Sequence, residues 1–182
     1  MPGSRLLLGT RGPLLRRVTV TAAAVAASAG LLLAVPAAAE PPTGGAFRPG
    51  ESLAGMRLGL APDEVLATWG ERHGVCAACP ERTWYFNERP FQPQGAGVVF
   101  ADGRVVHAFT VWQPEGWSTP EGLELGAPAG EIGETYGELA QEDCGDYLAL
   151  VREGPTATSA FYVHEDEVWG FGLYEPGRSP CL

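Results

Sequence analysis

The chain has 182 residues, with 12 basic side chains, all arginine, against 22 acidic ones and a formal net charge of −10. That balance argues against nucleic acid and anionic lipid as partners and suits solubility or a basic partner. The length allows one domain-sized core, not several.

The first segment reads as an export leader. Arg5, Arg11, Arg16 and Arg17 give a positive start, residues 18–35 are an apolar run, and Ala37, Ala38 and Ala39 supply small residues before Glu40. That order is a secretory signal peptide over 1–39, with cleavage expected after Ala39. An uncleaved membrane anchor is the alternative. No cysteine lies near the cleavage point, so a bacterial lipid anchor is not supported. Cleavage removes four arginines and no acidic residue, which leaves eight against twenty-two and a net charge of −14. Residues 40–54, rich in Pro and Gly over their first part, read as a linker.

Residues 55–113 form a first unit. Pro62 pre-sets the first turn of a helix, Val65, Leu66 and Trp69 fall at helical spacing, and Gly70 stops it. Strand patterns follow at Trp84-Tyr85-Phe86 and from Ala96 to Ala101. Asp102-Gly103 then signals a tight hairpin into Arg104–Trp112. After a linker at 114–121, residues 122–182 repeat the plan and end in a C-terminal tail. Pro128 takes the place of Pro62, and Gly130 and Gly133 each weaken the second helix by about 1 kcal/mol. Strands are expected over 147–151, 158–163 and 167–174, with His164-Glu165-Asp166 at a turn.

The two units read as a tandem duplication. Gly55–Gly70 returns as Gly122–Gly137 at a constant offset of 67, and Val106–Pro114 returns as Val168–Pro176. The expected class is α+β: two tandem helix-plus-antiparallel-sheet repeats sharing one continuous curved sheet, helices on one face. A long shared surface of that kind suits gripping a partner better than enclosing an active site.

Strand alternation sorts the two closing strands into faces. One set holds His107, Phe109 and Val111 with Trp169, Phe171 and Leu173. The other holds Val106, Ala108, Thr110 and Trp112 with Val168, Gly170, Gly172 and Tyr174. If Gly170 and Gly172 lie under a closely packed helix, then His107, Phe109, Trp169 and Phe171 are the partner-binding residues of an open face. The opposite assignment, with these aromatics as core, fits the alternation equally. His73 and His164 stand beside turns and form no ligand spacing.

Cys76, Cys79, Cys144 and Cys181 read as two disulfides of an exported domain, with three connectivities open. Cys76-Ala-Ala-Cys79 also has the form of a redox dithiol, but it follows a helix stop instead of opening a helix. No zinc pattern, nucleophile elbow, metalloprotease motif or phosphate loop occurs, so no catalytic residue, metal or cofactor is expected. Glu165-Asp166-Glu167 reads as a solvated hairpin tip.

The order Glu64-Val-Leu-Ala-Thr-Trp-Gly70, then Cys76, then the Phe100-Ala-Asp102-Gly103 hairpin resembles the repeats of the β-lactamase inhibitory protein family. It is also similar to the single unit of the small outer-membrane assembly lipoproteins. The resemblance covers Gly55–Gln113 and, more faintly, Gly122–Pro176. It implies a saddle-shaped sheet whose open face clamps a protein, and it puts the same four aromatic and histidine positions on that face. It also implies a bridge within each repeat, Cys76–Cys79 and Cys144–Cys181. The loop from Asn87 to Gly95 departs from the inhibitors' acidic loop, so no inhibitory residue is carried over from it.

Three functions follow as expectations. The first is a secreted, non-catalytic module that binds an extracellular or envelope protein, an enzyme inhibitor among the possibilities. The second is a cell-envelope structural or assembly module, and the third a thiol–disulfide oxidoreductase using Cys76 and Cys79. None of the three involves nucleic acid or stable membrane insertion after cleavage.

Overall fold

The structure, a computed structural model, describes residues 42, 44–86, 95–111 and 116–182. The segment read as a leader, residues 87–94, Trp112 and Pro114 lie outside the described residues. Eleven strands and two helices are described: β1 Gly45–Arg48, β2 Ser52–Leu53, α1 Pro62–Trp69, β3 Gly74–Val75, β4 Arg82–Phe86, β5 Gly95–Ala101, β6 Arg104–Val111, β7 Trp117–Ser118, α2 Gly130–Tyr136, β8 Ala140–Asp143, β9 Leu148–Arg152, β10 Thr158–His164 and β11 Glu167–Tyr174.

The α+β expectation does not hold. The chain is mostly β, with an eight-stranded antiparallel sheet in the order β3-β4-β5-β6-β11-β10-β9-β8 and a separate three-stranded sheet in the order β2-β1-β7. The helices have only eight and seven residues, too few to form the helical layer that two helix-plus-sheet repeats require. Local chemistry limits both. In α1 the Glu64 carboxylate accepts from the Ala61 amide at 2.7 Å, and Gly70 ends the helix at φ 87°. In α2 no side chain caps the start, and Gly130 and Gly133 lower its propensity. Pro128, expected in its first turn, instead precedes it and bridges to Glu167.

The hairpins form where turn chemistry places them. Asp102 and Gly103 both take positive φ, at 49° and 72°, which matches the twist of the flanking strands. Glu165 and Asp166 do the same at 51° and 66° without a glycine. Around the large sheet, the stretch read as a linker supplies structure. Phe47 of β1 is fully buried, stacks on Phe171 at 5.0 Å between ring centroids and meets Phe161 edge-on at 5.6 Å. Trp117 of β7 is equally buried.

The main core lies on one face of the large sheet. There Val65 and Trp69 of α1, Ile132 of α2 and Phe47 of β1 pack against Val98, Ala108, Phe161, Phe171 and Leu173. The Trp69 indole N–H donates to the Ala54 carbonyl at 3.1 Å, tying α1 to the loop after β2. A smaller cluster occupies the other face, with Phe109, Ala160, Tyr162 and Tyr174 at its centre and Tyr85, Tyr147 and Trp169 half-buried around it.

Candidate functional site

The second face is built by β6 and β11, the two strands that meet in the middle of the large sheet. Directly opposed residues of an antiparallel pair share a face. The ladder sets Phe109 against Gly172 and His107 against Tyr174, while Phe171 opposes Thr110 and Leu173 opposes Ala108. His107, Phe109 and Tyr174 therefore share the second face, and Phe171 points into the main core. Trp169 packs against the second cluster.

The expected foursome is thus divided, and two bulges explain how. Between β5 and β6 the pairing passes from Val99↔His107 to Phe100↔Val105, which skips Val106. Between β10 and β11 it passes from Tyr162↔Gly170 to Val163↔Val168, which skips Trp169. The bulged residues, Val106 and Trp169, are 63 positions apart. The sequence match at Val106 and Val168 uses 62. A slip of one residue moves every following side chain to the other face. Gly170 and Gly172 accordingly do not lie under a helix. A side-chain atom added to Gly172 would run into the Tyr162 side chain on the second face, and one added to Gly170 would run into the Thr110 carbonyl and crowd the Tyr162 ring.

Segment 175–182 lies against this second face, and hydrogen bonds hold it there. The Tyr162 hydroxyl donates to the Pro180 carbonyl at 2.9 Å, and the Leu182 amide donates to the Tyr147 hydroxyl at 2.6 Å. Arg178 pairs with Glu81 at 3.1 Å and with Glu175 at 3.1 Å. A disulfide between Cys144 and Cys181 anchors the segment covalently, and a second joins Cys76 to Cys79. This is the pairing the resemblance implies.

Between the sheet and the segment is a cavity of about 380 Å3. Thr83, Tyr85, Val99, His107 and Phe109 form its sheet side, and Cys79 and Cys181, one from each disulfide, stand in its walls. The size falls in the range of small-ligand pockets, roughly 300–1,000 Å3. Among the described residues its one deeply buried ionisable group is His107, which is 6% exposed. Burial, with a smaller contribution from the Arg178 charge, pushes the imidazole pKa down to about 3. The ring is therefore neutral at neutral pH.

Its tautomer follows from the neighbouring bonds. The Tyr162 hydroxyl has one proton and gives it to Pro180, so towards the His107 Nε2, 3.0 Å away, it acts as acceptor. This assigns the ring proton to Nε2 and leaves Nδ1 a bare lone pair, with no hydrogen-bond partner among the described residues. Sequence reading placed His107 on the face but gave no sign of this role, because Tyr162 is 55 positions away and Pro180 lies in the tail.

The other candidate groups are structural or superficial. His73 stacks on Trp84 at 4.1 Å. His164 lies 5.9 Å from Trp169, and Glu165, Asp166 and Glu167 are exposed at the hairpin tip. Among the described residues no three His, Cys, Asp or Glu side chains gather to hold a metal ion. No helix of the described residues is long and apolar enough to cross a membrane.

No family model and no curated protein matches this chain. Among solved structures it is similar to an extracellular protein containing a SCP domain from Bacillus anthracis str. Ames, with a TM-score of 0.49 and 15% identity. The likeness covers 71% of this chain and 49% of that one, so the chain spans about half of that protein's length. A likeness of that degree assigns neither family nor function.

Proposed function

We propose that the protein is an exported, non-catalytic binding module that meets an extracellular or envelope protein through the second face of its large sheet. The observation that carries this reading is the half-buried aromatic rim of Tyr85, Tyr147 and Trp169 around the buried His107, Tyr162 and Tyr174. Tyrosine and tryptophan with one side packed and the other available dominate the energy of protein interfaces. Tyr147 and Trp169 support each other at 5.2 Å between ring centroids, so little side-chain entropy is left to lose on binding.

Export is supported by the arginine-then-apolar start ending at Ala39 and by two disulfides, which persist in oxidising compartments. The strong acidity favours a partner with a basic surface. Enzyme inhibition, with β-lactamases as the first targets to titrate, is the specific form suggested by the resemblance of Glu64–Gly70 and the Asp102-Gly103 hairpin.

The test is affinity capture on immobilised protein from the producing organism's culture fluid and envelope extract, run beside Tyr147→Ala and Trp169→Ala variants shown to be folded. A stoichiometric protein that the native chain retains and the variants release supports the reading. Capture unaffected by both variants, or no captured protein at all, refutes this face as the binding surface.

A further inference from the structure

The cavity holds one acceptor, His107 Nδ1, that no described residue pairs with. A ligand that covers this atom must supply a donor, since a buried acceptor left unpaired costs about 1–3 kcal/mol. His107 is 6% exposed and lines the cavity, and its Nδ1 is not one of the fully buried unpaired atoms among the described residues, so it stays open to the cavity space. The remaining sheet-side surface comes from Tyr85, Val99 and Phe109 and from Thr83, whose hydroxyl already donates to the Glu81 carbonyl, while Glu81, Arg178 and Ser179 stand at the other walls. Phe109 stands edge-on to both Tyr85 and His107, at 5.9 and 5.5 Å between ring centroids, an arrangement that an added ring can extend. The missing complement is an aromatic ring carrying one N–H or O–H donor.

We propose that this cavity is a receptor for a phenol or indole group, a tyrosine or tryptophan side chain of the partner, which donates its hydrogen to His107 Nδ1. The proposal rests on the binding reading above and names the partner's anchor. A side chain of this type fills an apolar pocket and pays for its own polar atom only if an acceptor waits inside. The Nε2–H···Tyr162–O–H···Pro180 chain fixes the ring proton on the far nitrogen, so the acceptor is prepared before the ligand arrives.

The test uses the intact disulfide-bonded protein and four probes: indole and p-cresol, which carry the donor, and N-methylindole and toluene, which do not. Binding is followed by NMR through the Phe109 and Val99 resonances and the 15N signal of His107 Nδ1. Indole and p-cresol are expected to bind roughly tenfold more tightly than their donor-free counterparts and to move the Nδ1 signal. His107→Phe should erase that preference while the apolar probes still bind, and Val99→Trp, which fills the cavity, should abolish all four.

Equal affinities within each pair, or an unmoved Nδ1 signal, would overturn the proposal. So would absence of binding by any probe. The comparison within each pair on the native protein stands even where His107→Phe fails to fold. A partner captured equally well by Val99→Trp would refute the anchor role and leave the binding reading intact, whereas failed capture with intact indole discrimination would do the reverse.

Discussion

The Phe109 ring covers Gly97, its partner directly across the β5–β6 ladder, so closely that a methyl group on Gly97 would fall inside the ring's own space. A glycine in the middle of a strand gives up packing and costs entropy, so a close approach of this kind is what justifies it. Here it seats Phe109 as part of the cavity. Gly97→Ala should therefore destabilise the fold by about 1–3 kcal/mol, in the range of overpacked cores, because the ring must shift or the strand must yield. Urea unfolding measures the cost. A neutral or stabilising substitution would show that the ring is free to move.

Trp169 and Phe171 are two residues apart on one strand, yet they should respond oppositely to truncation. Phe171 is fully buried between Phe47 and Phe161, so Phe171→Ala should cost about 3–5 kcal/mol. Trp169 is the bulged residue and half-buried on the other face, against Tyr147. Trp169→Ala should leave most of the stability in place and act on partner capture. Thermal or denaturant unfolding of the two variants, side by side, decides it; equal losses would contradict the face assignment.

That contrast also marks where the sequence was readable. Strands β4 to β6 and β9 to β11 follow from alternation and turn chemistry, since Asp102-Gly103 can hardly lie anywhere but between two strands. β1, β2 and β7 were hidden because Pro and Gly around them read as linker. Only the isolated Phe47 and Trp117 signal burial there, and a lone aromatic has no period to detect. The helices were legible individually, but their brevity was not, and the α+β reading failed on that. Face assignment was lost to single extra residues, Val106 and Trp169, because a bulge leaves no compositional trace. The cavity was beyond reach for another reason: its sheet side comes from residues 83–109 and its cover from 178–182.

The two disulfides should differ in value. Cys144–Cys181 closes a separation of 37 residues, worth about 4 kcal/mol in the chain-entropy model, whereas Cys76–Cys79 closes one of 3, worth about 1.5 kcal/mol. Replacing Cys144 and Cys181 by serine should also loosen segment 175–182. That would speed hydrogen exchange at the Leu182 amide, which the Tyr147 hydroxyl now accepts. Replacing Cys76 and Cys79 should leave that amide protected. Equal exchange in both double variants would mean that the tail is held by its hydrogen bonds and the Arg178 ion pairs alone.

His107 makes stability depend on pH in a definite direction. Its folded pKa is depressed to about 3 by burial first and Arg178 second, against 6.5 for the free side chain. Between these values the unfolded chain takes up the proton and the folded chain does not. The histidine contribution is thus fully present above pH 6.5 and is lost as the pH falls towards 3. At pH 4.5 the loss from this group is on the order of 2–3 kcal/mol. Carboxylates titrate in the same window, so the native curve alone cannot isolate it. Urea unfolding of the native protein and of His107→Gln, each from pH 7.5 to 4.5, removes those common contributions by difference. The variant starts lower, because the flexible amide packs less well than the ring in this buried site, but its stability should fall less steeply. Parallel curves would mean that the imidazole reaches solvent and takes its proton without unfolding the chain. The prepared Nδ1 acceptor would then lose its proton-free state in mild acid.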